Sequence, residues 1–375
     1  MSPNTPLIGQ PGSRWRLQTP ALVLDLAAFT RNLDSMAAWA AEQKVGLRPH
    51  AKSHKCAEIA RRQVAAGALG ACCATVREAE VLATAGIPGL LITTPVALAK
   101  LPRIAALAAQ GADIACVVDS LDYVEALAGA ARQAEATVKV LVDLDPGTGR
   151  TGVTTPGAAV AVARAVMAAP ELEYAGVQAY AGHLQHIDDL AERSERMQGP
   201  LGRLNGCLDA LREANLPPAA ISGGGTGSHR LEPGRSPYSE LQVGSYLFMD
   251  VQYNTVWLSK SEAHPYENAL FVQASVVNVN HPGYAVTDAG LKSFATDGPA
   301  PVLARGAPPG ATYAYKGDEH GAVMFARDSD RLGLGARVEC IVPHCDPNVN
   351  LYDAYHVVEG DELVAVWAIG ARGNP

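Results

Sequence analysis

The 375-residue chain has 30 Lys and Arg against 38 Asp and Glu, a net charge of −8, and 48% hydrophobic residues. A chain with this much apolar material and only 18% charged residues can bury a large core, which excludes an intrinsically disordered protein. The acidic balance excludes non-specific nucleic-acid binding, because that requires a basic surface.

The N-terminal residues 1–16 lack the apolar stretch of a secretory signal, and no window of the sequence is apolar enough to span a membrane. Seven cysteines, an odd number with no C-x-x-C pair, are typical of reduced thiols rather than of a disulfide framework or a zinc knuckle. We therefore expect a cytoplasmic protein with no membrane partner, whose cysteines are mostly buried.

From residue 45 to about residue 246, short apolar runs alternate with longer Ala-rich amphipathic segments. The runs that predict strands are 45–51, 70–74, 89–93, 113–118, 137–143, 173–180, 219–223 and 241–246. The segments that predict helices are 56–66, 76–85, 97–109, 121–134, 156–168 and 190–214. Apolar runs separated by helices indicate a parallel sheet, and this number of strands favours a closed (β/α)₈ TIM-type barrel. A doubly wound open sheet is the alternative that strand counting leaves open.

After about residue 250 the helical spacing disappears and β-type runs take its place. These runs are 269–279, 284–288, 322–325, 337–342, 356–358 and 362–369, with Gly- and Pro-rich turns between them. The pattern predicts a C-terminal all-β domain. We place the barrel at residues 20–255 and the β domain at residues 256–375, with residues 1–19 packing on the β domain.

Lys52 closes the first predicted strand of the barrel. Active sites of such barrels lie at the carboxyl ends of the strands, and burial there should disfavour the ammonium form of Lys52. A neutral amine at this position is suited to forming a Schiff base with an aldehyde. His50 and His54 flank Lys52 and could form a metal pair, but their spacing requires a helix, and Pro49 argues against one.

Glycine-rich loops follow the seventh and eighth predicted strands. The first loop contains Gly225 and Thr226, and the second contains Gly244 and Ser245. Consecutive glycines allow backbone N–H groups to converge on an anion, and the loops after strands seven and eight are common phosphate sites in barrels. We predict a phosphate site there, the alternative being ordinary tight turns.

Residues 147–152 match G-x-G-x-x-G after a strand, which raises the possibility of a dinucleotide site. The next helix begins too late, however, and the acidic residue expected after the following strand is missing. We interpret Arg150, within this loop, as a cation directed into the mouth of the active site.

His344 and Asp346 lie two residues apart in the β domain. If this stretch is extended, both side chains project from one face and can share a cation. An imidazole and a carboxylate, completed by water, suit Mn²⁺ or Mg²⁺, and Zn²⁺ is also possible. The alternative is a polar turn between two strands.

Taken together, these motifs resemble one family, the metal-dependent D-threonine aldolases and their relatives. The matching segments are RPHAKSHK at 48–55, GRTG at 149–152, QAY at 178–180, QH at 185–186, GGGTGS at 223–228, GSYLFMD at 244–250, DAGLK at 288–292, DEHG at 318–321 and PHCDP at 343–347. The resemblance extends over nearly the whole chain. It implies the alanine-racemase-like fold, pyridoxal phosphate as cofactor, a divalent metal and a homodimer.

The resemblance also implies roles for individual residues. Lys52 would bind pyridoxal phosphate covalently, and His344 and Asp346 would bind the metal. The other residues it places around the cofactor are Thr226, Gly244 and Ser245 with the neighbouring Gly225 at the phosphate, Tyr253 nearby, and Arg150 and Tyr180 at the pyridine ring. One position departs from the pattern, because many relatives have glutamine where this chain has Ala74.

The implied reaction is the cleavage of D-β-hydroxy-α-amino acids such as D-threonine or D-phenylserine to glycine and an aldehyde. His186, at the mouth of the sixth strand, is the candidate base that takes the hydroxyl proton, and His183 is the alternative. A D-serine dehydratase is a second possibility, but that relative tends to have His-x-Cys where this chain has Asp346. A 3-hydroxy-D-aspartate aldolase would share every motif, and a non-catalytic pyridoxal-phosphate carrier would have little use for a metal pair.

Overall fold

The computed structural model describes residues 2–259, 264–327 and 329–373. Its strands are β1 Ala21–Asp25, β2 Gly46–Leu47, β3 Ala71–Cys73, β4 Leu90–Ile92, β5 Ile114–Val118, β6 Val138–Asp143, β7 Leu172–Ala179, β8 Ala220–Gly223, β9 Glu240–Leu241, β10 Leu270–Asn278, β11 Tyr284–Thr287, β12 Val302–Arg305, β13 Thr312–Tyr315, β14 Gly321–Met324, β15 Arg337–Ile341, β16 Ala354–Glu359 and β17 Glu362–Ala368. Its α-helices are α1 Leu26–Gln43, α2 Ala57–Ala65, α3 Val76–Thr84, α4 Leu101–Ala109, α5 Leu121–Gln133, α6 Pro156–Ala168, α7 Leu190–Arg196, α8 Gln198–Glu213 and α9 Cys345–Val349.

The strands β2 to β9 form one parallel sheet of eight strands in the order β2-β9-β8-β7-β6-β5-β4-β3. A parallel bridge between His50 and Cys72 joins the two ends of this order, and the N–H of Cys72 donates to the carbonyl of Pro49 at 2.8 Å. The bridge closes the sheet, so the predicted barrel is confirmed and the open doubly wound sheet is excluded. Each predicted strand has its counterpart, but the predicted helix over 190–214 is interrupted at Met197 and forms α7 and α8.

The sequence reasoning missed β1 and α1. Asp25 is the last residue of β1 and also the N-cap of α1, where its carboxylate accepts the N–H of Ala28 at 3.2 Å. Because the apolar run passes from strand to helix without a loop, no Gly, Pro or polar cluster marks the boundary. β1 lies in the C-terminal sheet, where it pairs antiparallel with β10 and parallel with β16.

The C-terminal sheet has nine strands and confirms the predicted all-β domain. The strands β12 and β13 were also missed, since both are short and only partly buried. The segment before β1 lies against β17, with the N–H of Gly9 donating to the carbonyl of Leu363 at 2.9 Å. The division at residues 20 and 255 remains a prediction, and part of the boundary region, residues 260–263, lies outside the described residues.

Two large apolar clusters hold these layers together. The first fills the space between the barrel strands and their surrounding helices. The second joins the barrel to the C-terminal sheet through α1 and includes Met36, Phe248, Val272 and Tyr355. This second cluster fixes the end of the barrel that carries Lys52 against the domain that carries His344.

All seven cysteines are free and buried, as the sequence predicted. No helix in the described ranges is long and apolar enough to cross a membrane.

Candidate active site

Lys52 lies in a short 3₁₀ turn, Ala51–Ser53, directly after the bridge that closes the barrel. The backbone N–H of Lys52 donates to Nδ1 of His50 at 3.3 Å, and Nε2 of His50 lies 3.0 Å from the hydroxyl of Thr93. These contacts hold the lysine at the carboxyl end of the strands, as predicted from the sequence. Nδ1 of His54 accepts the backbone N–H of Cys56 at 3.1 Å, so this nitrogen is not available to bind a metal together with His50.

Nζ of Lys52 forms an ion pair with the carboxylate of Asp346, which is 294 residues away in the chain. The charge of Asp346 raises the pKa of Lys52 by more than burial lowers it. Burial would raise the pKa of Asp346, but the Lys52 ammonium holds it below the usual carboxyl range. Burial therefore disfavours the Lys52 ammonium, as expected, but the neutral amine expected to result is wrong here, because sequence reasoning did not foresee Asp346 as a partner.

The two glycine-rich loops meet beside Lys52. The hydroxyl of Thr226 accepts the backbone N–H groups of Gly244 at 3.3 Å and Tyr246 at 3.1 Å, which leaves its own proton free to donate. The backbone N–H groups of Thr226 and Ser245 have no acceptor among the described residues, although both residues are buried. Unpaired donors of this kind fit a phosphate group.

Gly225 and Gly227 allow the first loop to pack against Gln185. A Cβ on Gly225 would lie 2.6 Å from Oε1 of Gln185, and a Cβ on Gly227 would overlap the carbonyl of Gln185. Oε1 of Gln185 also accepts the N–H of Gly227 at 2.9 Å. Gln185 therefore fixes the position of the first loop.

His229 supports Thr226 from inside the protein. Its Nδ1 lies 2.7 Å from the carbonyl of Thr226, and its Nε2 lies 3.0 Å from the hydroxyl of Tyr266. With a neutral ring, Nδ1–H donates to the carbonyl and Nε2 accepts from the tyrosine. Burial lowers the pKa of His229 to about 3.

We expect this histidine to make the protein less stable as the pH falls. Because the pKa of His229 is about 3 in the fold and near 6.5 in the unfolded chain, the unfolded chain binds more protons between these values. The stabilisation is present above pH 6.5, and about 2 kcal/mol of it is lost between pH 7 and pH 5. In urea unfolding at fixed cofactor concentration, His229→Asn should shrink this pH difference by that amount. The exposed His281→Asn should leave it unchanged, and an unchanged difference in His229→Asn would contradict the assignment.

His186 lies at the mouth of the barrel between Tyr253 and His344. The ring centroids of His186 and Tyr253 are 4.7 Å apart, and those of His186 and His344 are 6.2 Å apart. Burial lowers the pKa of His186, and the neighbouring His344 and Lys52 lower it further. A neutral imidazole in this position can accept a proton. His183 lies farther out in the same loop, with its Nδ1 3.2 Å from the hydroxyl of Thr148.

Arg150 and Tyr180 form another wall of the site. The guanidinium carbon of Arg150 lies 5.9 Å from the centroid of the Tyr180 ring. Burial raises the pKa of Tyr180, while the charges of Lys52 and Arg150 lower it. Sequence reasoning missed Asp143 below them, which accepts from Gln178 at 2.9 Å and whose pKa is raised by burial to about 6.

His344 and Asp346 do not lie on an extended segment, so the condition under which both side chains would project from one face of a strand is not met. His344 is the N-cap of the one-turn helix α9, and Asp346 is the second residue of this helix. The turn forms because the buried carboxylate of Asp250 accepts the N–H of Cys345 at 2.8 Å, while its other oxygen accepts the N–H of Tyr253 at 2.8 Å. Asp250 belongs to one of the matching motifs, but sequence reasoning assigned it no role.

The donor chemistry at α9 fits a divalent cation. Nδ1 of His344 lies 2.7 Å from Asp297, which leaves Nε2 of His344 available as a ligand. Asp346 is a largely buried carboxylate that needs a positive partner, which Lys52 supplies in this structure. Within residues 2–259, 264–327 and 329–373, however, no group of three or more His, Cys, Asp or Glu side chains forms a metal cluster. A cation on these two residues would therefore need water or substrate oxygens as further ligands.

Backbone N–H groups of the loop at 147–152 are bonded to the carboxylate of a neighbouring residue, Asp145. Asp145 accepts the backbone N–H groups of Gly147 at 2.9 Å and Thr148 at 2.7 Å, and Gly149 also donates to it. These are the groups that would bind a pyrophosphate. The loop therefore forms an ordinary capped turn, which agrees with the interpretation that it is not a dinucleotide site.

Comparison with known proteins shows which families and structures this chain is similar to. Residues 24–252 match the profile described as alanine racemase, N-terminal domain, and residues 269–358 match a serine dehydratase domain. The chain is 40% identical to a D-threonine aldolase of an Arthrobacter species, covering 97% of this chain and 95% of that protein. It is 37% identical to a 3-hydroxy-D-aspartate aldolase of Paracoccus denitrificans, over 96% and 93% of the two chains. The crystal structure of D-threonine aldolase from Filomicrobium marinum superimposes with a TM-score of 0.91 at 39% identity, covering 96% of each chain.

Proposed function

Because this chain belongs to the D-threonine aldolase family of the alanine-racemase-like fold, we propose that it is an aldehyde-lyase that uses pyridoxal phosphate and a divalent metal. Its reaction would cleave the Cα–Cβ bond of a D-β-hydroxy-α-amino acid, such as D-threonine or D-phenylserine, to give glycine and an aldehyde.

One juxtaposition carries this proposal. A single mouth of the barrel brings together a lysine, an anion site with unpaired N–H donors, and an imidazole beside a histidine–carboxylate pair. The lysine and the anion site fit the aldehyde and the phosphate of the cofactor. The imidazole and the metal-binding pair lie on the side of the C-terminal domain, where a β-hydroxyl group could meet both.

The residues of this chain divide the remaining work. Pyridoxal phosphate, when bound, supplies the electron sink for the pair released by the broken Cα–Cβ bond. Lys52 would hold the cofactor covalently, while Gly225, Thr226, Gly244 and Ser245 would hold its phosphate. Arg150 and Tyr180 would line the ring, and Tyr253 would lie near the phosphate. Among these groups, only Lys52 would have to give up a covalent bond to the cofactor when substrate binds.

His186 would take the proton of the β-hydroxyl group as the Cα–Cβ bond breaks, so that the oxygen becomes the carbonyl of the leaving aldehyde. Cα must then gain a proton, from the protonated His186 or from solvent, to give glycine. A divalent cation held by His344 and Asp346, such as Mn²⁺ or Mg²⁺, would supply Lewis acidity at the hydroxyl oxygen. The ring contact with Tyr253 would keep His186 directed at that oxygen.

We also propose that the enzyme acts in the cytoplasm as a homodimer. The free, buried cysteines support a reducing compartment. The dimer follows from the family resemblance and is tested by light scattering.

The substrate is decided by product analysis. Purified protein is incubated with D-threonine, D-phenylserine, 3-hydroxy-D-aspartate and D-serine, each with and without EDTA. Glycine and an aldehyde support the aldolase, whereas pyruvate and ammonia from D-serine would support the dehydratase. A preference for 3-hydroxy-D-aspartate would instead support a 3-hydroxy-D-aspartate aldolase. The Paracoccus enzyme of that name is similar to this chain over nearly its full length.

Removal of the metal should abolish cleavage. We expect EDTA to remove activity and Mn²⁺ to restore it, and Asp346→Asn to weaken Mn²⁺ binding at least about tenfold, since it removes an anionic ligand. Mn²⁺ affinity is measured by electron paramagnetic resonance titration. Asp353→Asn, at an exposed carboxylate of the same domain, is the matched control. Equal Mn²⁺ affinity in the two variants would refute the assigned ligand.

A further inference from the structure

Arg193 is the largest fully buried side chain among the described residues, with a relative exposure of 0%. Buried arginines usually pair with a carboxylate, but within the described ranges Arg193 forms no ion pair. Its Nε has no hydrogen-bond partner either. A buried guanidinium without an ion pair needs an explanation, because removing its charge from water costs free energy.

The guanidinium connects two segments of the active site. One terminal nitrogen donates to the carbonyl of Ile187, which follows His186, and the other donates to the carbonyl of Trp257, four residues after Tyr253. We call residues 186–189 the base segment and residues 253–257 the tyrosine segment. Arg193 lies in α7, immediately after the base segment, and reaches across to the tyrosine segment.

Further bonds join the same two segments. The backbone N–H of Trp257 donates to the carbonyl of Asp188 at 3.0 Å. The hydroxyl of Thr255 donates to the carboxylate of the same Asp188 at 2.9 Å. Across this junction the rings of His186 and Tyr253 meet at 4.7 Å. His186 itself makes no hydrogen bond to a described residue, so its position depends on its backbone and on its ring contacts with Tyr253 and His344.

We infer that Arg193 is a positioning residue that holds the base segment against the tyrosine segment, so that His186 stays directed at the reacting hydroxyl group. This inference rests on the proposed function for its kinetic consequence, and on contacts alone for its structural consequence. Hydrogen bonds from a cation to carbonyls are stronger than neutral ones, and the loss of Arg193 would leave the carbonyls of Ile187 and Trp257 without this donor.

The kinetic test compares Arg193→Ala with Arg196→Ala. Arg196 lies one turn farther along α7, and its 62% exposed side chain pairs with Glu192 at 2.6 Å. With D-threonine, kcat should fall about 100-fold in Arg193→Ala with little change in KM, because a small displacement of a catalytic group costs this much. Guanidinium ions should restore part of kcat in Arg193→Ala, and methylammonium ions should not. A kcat equal to that of Arg196→Ala, or a loss that guanidinium does not restore, would overturn the inference.

A second measurement does not depend on activity. In hydrogen exchange of the holoenzyme, amides of the base and tyrosine segments should exchange faster in Arg193→Ala than in the wild type and Arg196→Ala. If the wild type cleaves no D-threonine, the proposed function fails while this measurement still tests Arg193. Unchanged exchange would overturn the inference. Should Arg193→Ala not fold, Arg193→Lys, which cannot reach both carbonyls with a planar fork, serves in both comparisons.

Discussion

Replacing Lys52 by alanine should remove the covalent link to pyridoxal phosphate and reduce cleavage by roughly 10⁴-fold or more, the scale of losing a residue that forms the covalent bond. The physical reason is the position of the amine. The turn at Ala51–Ser53 places it at the mouth of the barrel, next to the second glycine-rich loop, where a Cβ on Gly244 would lie 3.5 Å from the carbonyl of His50. The link is measured by borohydride reduction, followed by mass spectrometry of the labelled peptide.

The same measurement separates Lys52 from its neighbours. Lys55 lies three residues away, but its Nζ is committed to the buried carboxylate of Glu78 at 2.5 Å. Lys44→Ala, at the end of α1, is the control and should keep both the link and the activity. A label on Lys55, or a reducible link that survives in Lys52→Ala, would show that the cofactor lysine has been misassigned.

Replacing His186 by alanine should lower kcat for D-threonine cleavage by about 10²–10⁴-fold, the usual contribution of a general base. The absorbance of bound cofactor should stay unchanged, because His186 contacts Tyr253 and His344 rather than the phosphate loops. Both quantities are measured on the same preparation, so that loss of cofactor is distinguished from loss of the base.

His183→Ala is the matched control, since this histidine belongs to the same loop and bonds Thr148 at its outer end. It should retain most of the activity. If His183→Ala were inactive and His186→Ala active, the two histidines would have to exchange roles. Near-normal turnover in both variants would remove the imidazole base from the mechanism.

The barrel could be predicted because its signals are local. Each apolar run ends in Gly, Asn or a polar cap within a few residues, so strand and helix follow from spacing alone. Strand β1 could not be predicted in this way, because its apolar run continues directly into α1. Asp25 is both the last residue of β1 and the N-cap of α1. Its place in the C-terminal sheet depends on pairing with β10 and β16, which no local pattern reports.

The residues of the site likewise fall into those that the sequence could predict and those that it could not. Residue type and strand position suffice to nominate Lys52, Thr226 and His344, because barrels place their chemistry at strand ends. The helical turn at Asp346 was not predictable, since the carboxylate that caps it, Asp250, lies 95 residues earlier in the chain. Likewise Arg193 belongs to a short, highly charged helix whose sequence suggests a solvated surface.

By itself, the sequence determined the alternation of strands and helices, the two glycine-rich loops and the lysine at the end of the first strand. Only the tertiary structure decided that Lys52 pairs with Asp346, that Arg193 is buried beneath His186, and that β1 belongs to the second sheet. The physical reason is the range of the forces. Backbone preferences and turn chemistry act over a few residues, whereas burial and charge pairing depend on which distant segments the core brings together.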